Sequence, residues 1–204
     1  MAVAQTAQQS TKLLRKQLKQ QRASLSPARQ RALSQQAALR LARSRPFRAA
    51  RHIGLYLPVR GEADPTTLYH HYAHPLQHFY LPVLALSKQQ GLVFVAWTEQ
   101  TRFRKNRFNI PEPVMTASNT RSPTTLDLVI TPLLGFDATG TRLGMGGGFY
   151  DRSFAFKRRL PKRTSPRLVG FAYAFQQASQ LERQSWDVPL DAVCTDTQLL
   201  VFNH

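Results

Sequence analysis

Two hydrophobic periods divide the chain. Up to Leu41 apolar residues recur at helical spacing. Leu13, Leu14, Leu18 and Leu25 form one stripe, with Arg15, Lys16, Lys19 and Arg22 around it, which predicts a helix capped at Ser10 or Thr11. Residues 1–10, rich in Ala and Gln, are expected to be a disordered tail, leaving 11–204 as one domain. Ser26-Pro27 pairs a cap with a proline at the first helical position and starts a second helix. Leu33, Ala37 and Leu41 line its inner face and Pro46 ends it, so the two helices predict a basic helical hairpin.

From Ile53 the period becomes two. Ile53, Leu55 and Leu57 alternate in a first strand, stopped by Pro58. Asp64-Pro65 starts a helix over Thr66–Tyr72, and further strands are predicted at about Phe79–Val83, Leu92–Trp97 and Leu126–Thr131. The last of these is apolar at both parities, which suits a strand covered on both faces. Asp137-Ala138-Thr139-Gly140 reads as a turn, Phe149–Leu160 as a helix, and Leu168–Tyr173 and Ala192–Thr195 as strands. Strands alternating with helices predict an α/β fold, a mainly parallel sheet with flanking helices in a three-layer, Rossmann-like arrangement.

From the turn into the fourth helix runs Arg142-Leu143-Gly144-Met145-Gly146-Gly147-Gly148-Phe149-Tyr150-Asp151-Arg152, which holds four of the ten glycines. Such a loop brings backbone N–H groups close to an anion, at a helix N-terminus where anions are favoured. Its arginines can pair with phosphate, and Asp151 can hold a divalent cation. It is not a P-loop, because no Lys-Ser or Lys-Thr follows the glycines. Nor is it a dinucleotide fingerprint, because the third glycine would fall at Phe149.

Charge widens the field of partners. The net charge is +17, and thirteen Lys/Arg from Lys12 to Arg60 precede the first acid, Glu62. A field of this kind attracts polyanions. The single Cys194 excludes an intramolecular disulfide and a multi-cysteine zinc site, and its apolar neighbours suggest a buried, inert thiol. No apolar run approaches membrane-spanning length and the N-terminus lacks a secretory core, so a cytoplasmic protein without membrane contact is expected. His70 and His74 share a helical face, but Pro75 interrupts and no acidic partner is near, so a metal site there is not expected.

The eleven-residue glycine segment resembles the signature of the 5-formyltetrahydrofolate cyclo-ligase (methenyltetrahydrofolate synthetase) family. The resemblance extends to Leu128–Asp137, Gly54–Pro58, Gly61–Asp64, Tyr80–Val83, Ile110–Pro113, Val169–Ala172, Gln176, Trp186–Asp191 and Thr195, and to Leu14–Ser26. It covers the chain from about Leu13 onward, which leaves too little sequence ahead for a transit peptide. It implies ATP-dependent closure of 5-formyltetrahydrofolate to 5,10-methenyltetrahydrofolate, with ATP as cosubstrate, Mg²⁺, a folate with or without a polyglutamate tail, and a monomer. By resemblance Gly144, Met145, Gly146, Gly147, Gly148, Phe149 and Tyr150 wrap the triphosphate, with Arg142 at the entrance and Arg15 reaching across from the first helix. Met145 to Phe149 also meet the folate, Leu57 and Glu62 line its pocket, Asp151 and Asp187 are Mg²⁺ ligands, and Arg142 and Asp151 serve catalysis.

This chain departs from the family pattern in places. A lysine four residues before the N-terminal arginine is Thr11 here, so either the adjacent Lys12 binds ATP or that contact is missing. Phe149 stands where Tyr is frequent, and Met145 where an aromatic or basic residue is frequent. Each position also has an ordinary structural role open to it: Arg15 as a solvated helix residue, Asp151 as a helix-start charge, Asp187 as a turn cap, Glu62 as a loop acid, Phe149 and Tyr150 as a staple of helix to sheet. Two rival functions stay open, a basic nucleic-acid-binding protein and a catalytically weak folate-binding relative.

Overall fold

Leu128–Thr131 is buried at all four positions, as a strand covered on both faces must be, and the sheet is built outward from it. The computed structural model describes residues 2–85, 91–159 and 165–203. In chain order the elements are α1 (Ala2–Ser24), α2 (Pro27–Ala42), α3 (Arg45–Ala49), β1 (His52–Gly54), α4 (Thr66–Tyr72), β2 (His78–Leu84), β3 (Leu92–Trp97), β4 (Phe103–Lys105), β5 (Pro111–Pro113) and β6 (Thr120–Arg121). There follow β7 (Leu128–Thr131), β8 (Gly135–Phe136), β9 (Arg142–Leu143), α5 (Phe149–Ser153), α6 (Phe156–Arg159), β10 (Arg167–Phe171), β11 (Ala192–Cys194) and β12 (Leu199–Val201).

The main sheet runs β12-β11-β10-β7-β1-β2-β3-β6. Its centre, β11 to β2, is parallel, and antiparallel strands close both edges. The expected α/β fold with a mainly parallel sheet is the observed one. Strand order reverses at β1: the chain goes to β2 on one side and to β7, β10 and β11 on the other. A crevice therefore opens beyond the carboxyl ends of β1 and β7, the switch point where ligands bind in sheets of this kind.

Alternate side chains feed two cores. Ile53, Leu128, Ile130, Val169 and Phe171 pack under α2, α3 and α4, against Leu33, Ala37, Leu41, Phe47 and Leu68. Val129, Leu168, Val193 and Phe94 face the other way, against Phe154 after α5 and Val188 and Leu190. Packing leaves no room for a side chain at Gly54, since a Cβ there would lie 2.7 Å from Phe94 Cε1.

Four expectations need correction. Helix α1 runs through residues 2–10, where a tail was expected, because Ala and Gln are good helix formers. Helices α1 and α2 do not form a self-contained hairpin. Leu18 of α1 packs on Leu134 and Leu143, whereas the buried face of α2 joins the core under the sheet. Pro46 starts a helix instead of ending one: Ser44 caps α3 by accepting from the Phe47 N–H. The helix predicted over Phe149–Leu160 breaks between α5 and α6, and Leu160 lies outside the described residues. The edge strand β12 carried too weak an alternation to be read.

Gly54→Ala should lower stability by about 1–3 kcal/mol in urea unfolding, because the ring of Phe94 has no space to retreat into. Cys194 is buried and its Sγ donates to Ala37 O, and burial pushes its thiol up to about 12. It should resist alkylation near neutral pH and react fully in denaturant, which mass spectrometry reads directly.

Candidate active site at the strand-order reversal

A cleft of about 760 Å³ occupies the switch point. Tyr56, Leu57, Val59 and Glu62 enter it after β1, Pro132 and Leu133 after β7, and the whole run Arg142–Asp151 forms one wall. Thr11 and Arg15 of α1 reach it from one side, and Glu182, Gln184, Trp186 and Asp187 from another.

The glycine wall is positioned from below. Asp137 Oδ1 accepts from the N–H groups of Thr139 and Thr141 and from the Thr139 hydroxyl, which closes the turn of the β8–β9 hairpin. Gln176, fully buried, donates from Nε2 to Leu133 O and Leu134 O and fixes the chain leaving β7. The loop after β9 then takes left-handed backbone at Gly146 and Gly148, with φ of 93° and 61°. A Cβ on Gly144 or Gly146 would meet nothing within 4 Å, so the backbone there borders open space. Arg15 Nε donates to Gly144 O at 3.2 Å, and its Nη atoms have no partner among the described residues. The helix behind the loop, α5, has five residues, so its dipole is small and the cradle rests on loop N–H groups and Arg15 instead.

Arg142 and Asp151 are brought together, and to one another. Arg142 Nη2 donates to Asp151 Oδ1, Nη1 donates to Val188 O, and Val188 N donates to the same Oδ1 at 3.1 Å. The pair ties the loop entrance to the start of α5 and to residue 188. Asp151 Oδ2 has no partner among the described residues, and Asp187 Oδ2 accepts from Gln184 N. Both carboxylates border the cleft, and Mg²⁺ commonly takes one or two carboxylates with phosphate and water completing its shell, so the donor set fits that ion. No cluster of three metal-ligating side chains occurs among the described residues, the histidines of α4 included.

The opposite wall carries Glu62. Val59 N donates to Glu62 Oε2 at 3.1 Å across a turn whose central residues, Arg60 and Gly61, have φ of 51° and 75°. Tyr56 Oη donates to Ala63 O and pins that turn to the end of β1. Burial pushes the Glu62 carboxyl up, against the Val59 hydrogen bond and the charges of Arg22 and Arg60.

Not every expected residue arrives. Thr11 borders the cleft and Lys12 does not; Lys12 is exposed on α1. Phe149 and Met145 line the cleft, and Arg152 lies over the Phe149 ring. The Tyr150 hydroxyl is buried without a hydrogen-bond partner among the described residues, and burial raises its pKa. Two features went unread in the sequence. Arg22 is 2% exposed behind Glu62, although its i+4 spacing from Leu18 placed it on the buried face of α1. The β4–β5 hairpin sends Asn106, Phe108 and Ile110 over the cleft, anchored by Glu112, which accepts from Leu84 N and Asn106 Nδ2.

A family model for 5-formyltetrahydrofolate cyclo-ligases matches residues 7–196. The chain belongs to that family. It is 35% identical over 182 residues to the 5-formyltetrahydrofolate cyclo-ligase of Escherichia coli K12, covering 89% of this chain and 98% of the relative. The cyclo-ligase of Haemophilus influenzae is 38% identical over 143 residues, covering 70% and 74%. Among solved structures, the 5,10-methenyltetrahydrofolate synthetase of Aquifex aeolicus superposes with a TM-score of 0.77 at 29% identity, covering 95% of this chain and 93% of that one. The synthetase of Mycoplasma pneumoniae gives 0.68 at 25% identity, covering 91% and 98%. None of these is named as a nucleic-acid-binding protein. No helix among the described residues is long and apolar enough to cross a membrane.

The Arg142–Asp151 pair has side chains only 7% and 21% exposed. Arg142→Met and Asp151→Asn should each cost on the order of 3 kcal/mol in urea unfolding, and the double variant little more than either single one.

Proposed function

We propose that the cleft between the glycine loop and Glu62 is the site where this family's reaction, closure of 5-formyltetrahydrofolate to 5,10-methenyltetrahydrofolate, is carried out, with ATP as cosubstrate. One observation carries the reading: a single cavity joins an anion cradle on one wall to a buried carboxylate on the other.

The chemistry explains why both walls are needed. A formyl oxygen on nitrogen is a poor leaving group. Transfer of the γ-phosphoryl group to that oxygen releases ADP and gives an imidate phosphate; the neighbouring folate N–H nitrogen attacks its carbon and gives up its proton, and the C–O bond breaks as phosphate leaves. The protein's task is to hold the formyl oxygen in line with the γ-phosphorus and to offset the charge that spreads there. N–H groups of Gly144 to Gly148 and the Nη donors of Arg15 serve the phosphates, with Arg142 adding positive charge at the entrance. Asp151, through Oδ2, and Asp187 would hold Mg²⁺, which supplies charge neutralisation between phosphate oxygens. Phe149 and Tyr150 line the cleft, and the place expected for the family's lysine falls to Thr11, which adds no charge there.

On the folate side Glu62 accepts N–H donors of the pterin ring, which a carboxylate does well and a neutral amide poorly. Leu57 and Met145 supply apolar surface to the ring system. The basic field of the N-terminal third suits ATP and a folate tail of repeated carboxylates equally.

The test is the near-ultraviolet absorbance of the methenyl product. It should appear with 5-formyltetrahydrofolate only when MgATP is added; a folded preparation that gives no change would end the reading. Arg15→Ala should raise KM for ATP about tenfold or more, the loss of a charge-assisted contact, and leave KM for the folate unchanged.

A further inference from the structure

We propose that Arg22, which does not border the cleft, is a positioning residue for folate recognition, holding the Glu62 carboxylate at the cleft wall in its charged form. The inference rests on the reading of Glu62 as the pterin-facing carboxylate.

Arg22 is one of the largest fully buried side chains in the protein. Its Nη2 donates to Arg60 O at 3.1 Å, and its Nη1 lies 3.7 Å from Glu62 Oε1. Nε and Nη1 have no hydrogen-bond partner among the described residues. A guanidinium does not give up its proton, so this is a permanent charge out of water with incomplete satisfaction. An apolar side chain would fill the same space on α1 at less cost, and what Arg22 adds is a fixed positive charge behind one carboxylate. Val59 N anchors Oε2, and Oε1 faces the fixed charge of Arg22.

The other groups facing Glu62 do not substitute for it. Arg60, on the same turn, is exposed and screened by solvent. Tyr56 after β1, Tyr150 on α5 and Tyr173, whose Oη donates to Glu62 O, are phenols that burial holds neutral. Asp64 is engaged at Thr66, accepting from its N–H and hydroxyl. Burial raises the Glu62 carboxyl and Arg22 lowers it. Folate affinity that needs the ionised form is present above the Glu62 midpoint and lost as pH falls through it. Removing Arg22 moves that midpoint to higher pH.

The experiment is an equilibrium titration of 5-formyltetrahydrofolate into the full chain without ATP, from mildly acid to mildly alkaline pH, with MgATP binding measured separately. Arg22→Met should shift the midpoint of folate binding to higher pH, with affinity falling about tenfold per pH unit below it. Affinity should recover at alkaline pH, and MgATP affinity should be unchanged. Arg22→Lys, which keeps the charge, should restore much of the original profile. In a Glu62→Gln background Arg22→Met should cause no further loss. An Arg22→Met profile identical to that of the unmodified protein, an equal loss at every pH, or a further loss in the Glu62→Gln background would each overturn the proposal. Arg22→Gln serves the same comparison if Arg22→Met does not fold. Glu62→Gln binding folate as tightly as the unmodified protein would instead overturn the reading of Glu62 itself.

Discussion

The parallel pairing of β1 with both β2 and β7 is the constraint on which the site depends. Because the chain leaves β1 toward one side and β7 toward the other, the two exits cannot pack over the strand ends, and a crevice remains. Every wall of the cleft is a consequence. The turn that carries Glu62 follows β1, and the β8–β9 hairpin that carries the glycine loop follows β7. Gly54 belongs to the same constraint. The Phe94 ring of β3 lies so close to β1 that a Cβ on Gly54 would sit 2.7 Å from it.

Charge inside the walls is arranged in pairs whose geometry matters more than their energy. Arg142, Asp151 and the backbone of Val188 form a closed knot at the mouth of the glycine loop. Desolvation offsets much of what such a pair gains, so its worth lies in register: it holds the loop entrance to the 184–188 segment that carries Asp187. The same residues are thus both framework and candidate machinery, and a loss of activity in their variants has to be read beside their stability. Arg15 is different, since its Nη donors are unspent among the described residues and its contact to Gly144 O is partly buried.

Most of the sheet was legible because its strands obey simple patterning. Leu92–Trp97 and the helix Thr66–Tyr72 fall where alternation and Asp64-Pro65 place them. The glycine loop was legible from its own residues, whereas Glu62 and Asp187 stood out only through the resemblance to the cyclo-ligase family; all three border the cleft. What failed had tertiary causes. Pro46 marks a helix end and a helix start with equal force, and only the Ser44 cap decides. The split between α5 and α6 follows from Phe154, whose ring must turn into the core beside Phe94 and Phe156. Arg22 stands among the basic residues around the Leu stripe of the first helix, and a buried arginine looks like any other until Glu62, forty residues on, is placed against it.

Helix α1 gives these observations a common frame. Arg15, Leu18 and Arg22 are spaced i, i+3, i+7 and so share one face, about 10 Å from end to end. Arg15 meets the glycine loop at Gly144, Leu18 packs on Leu134 and Leu143 of the hairpin beneath that loop, and Arg22 stands behind Glu62. One rigid rod therefore touches both walls of the cleft, with an apolar contact between two cationic ones. The spacing between the glycine loop and Glu62 is then set by helical rise, not by two independent loops. This also accounts for part of the acid-free N-terminal charge. Arg15 borders the cleft and Arg22 is buried behind Glu62, where a solvated patch for a polyanion would have left both facing water.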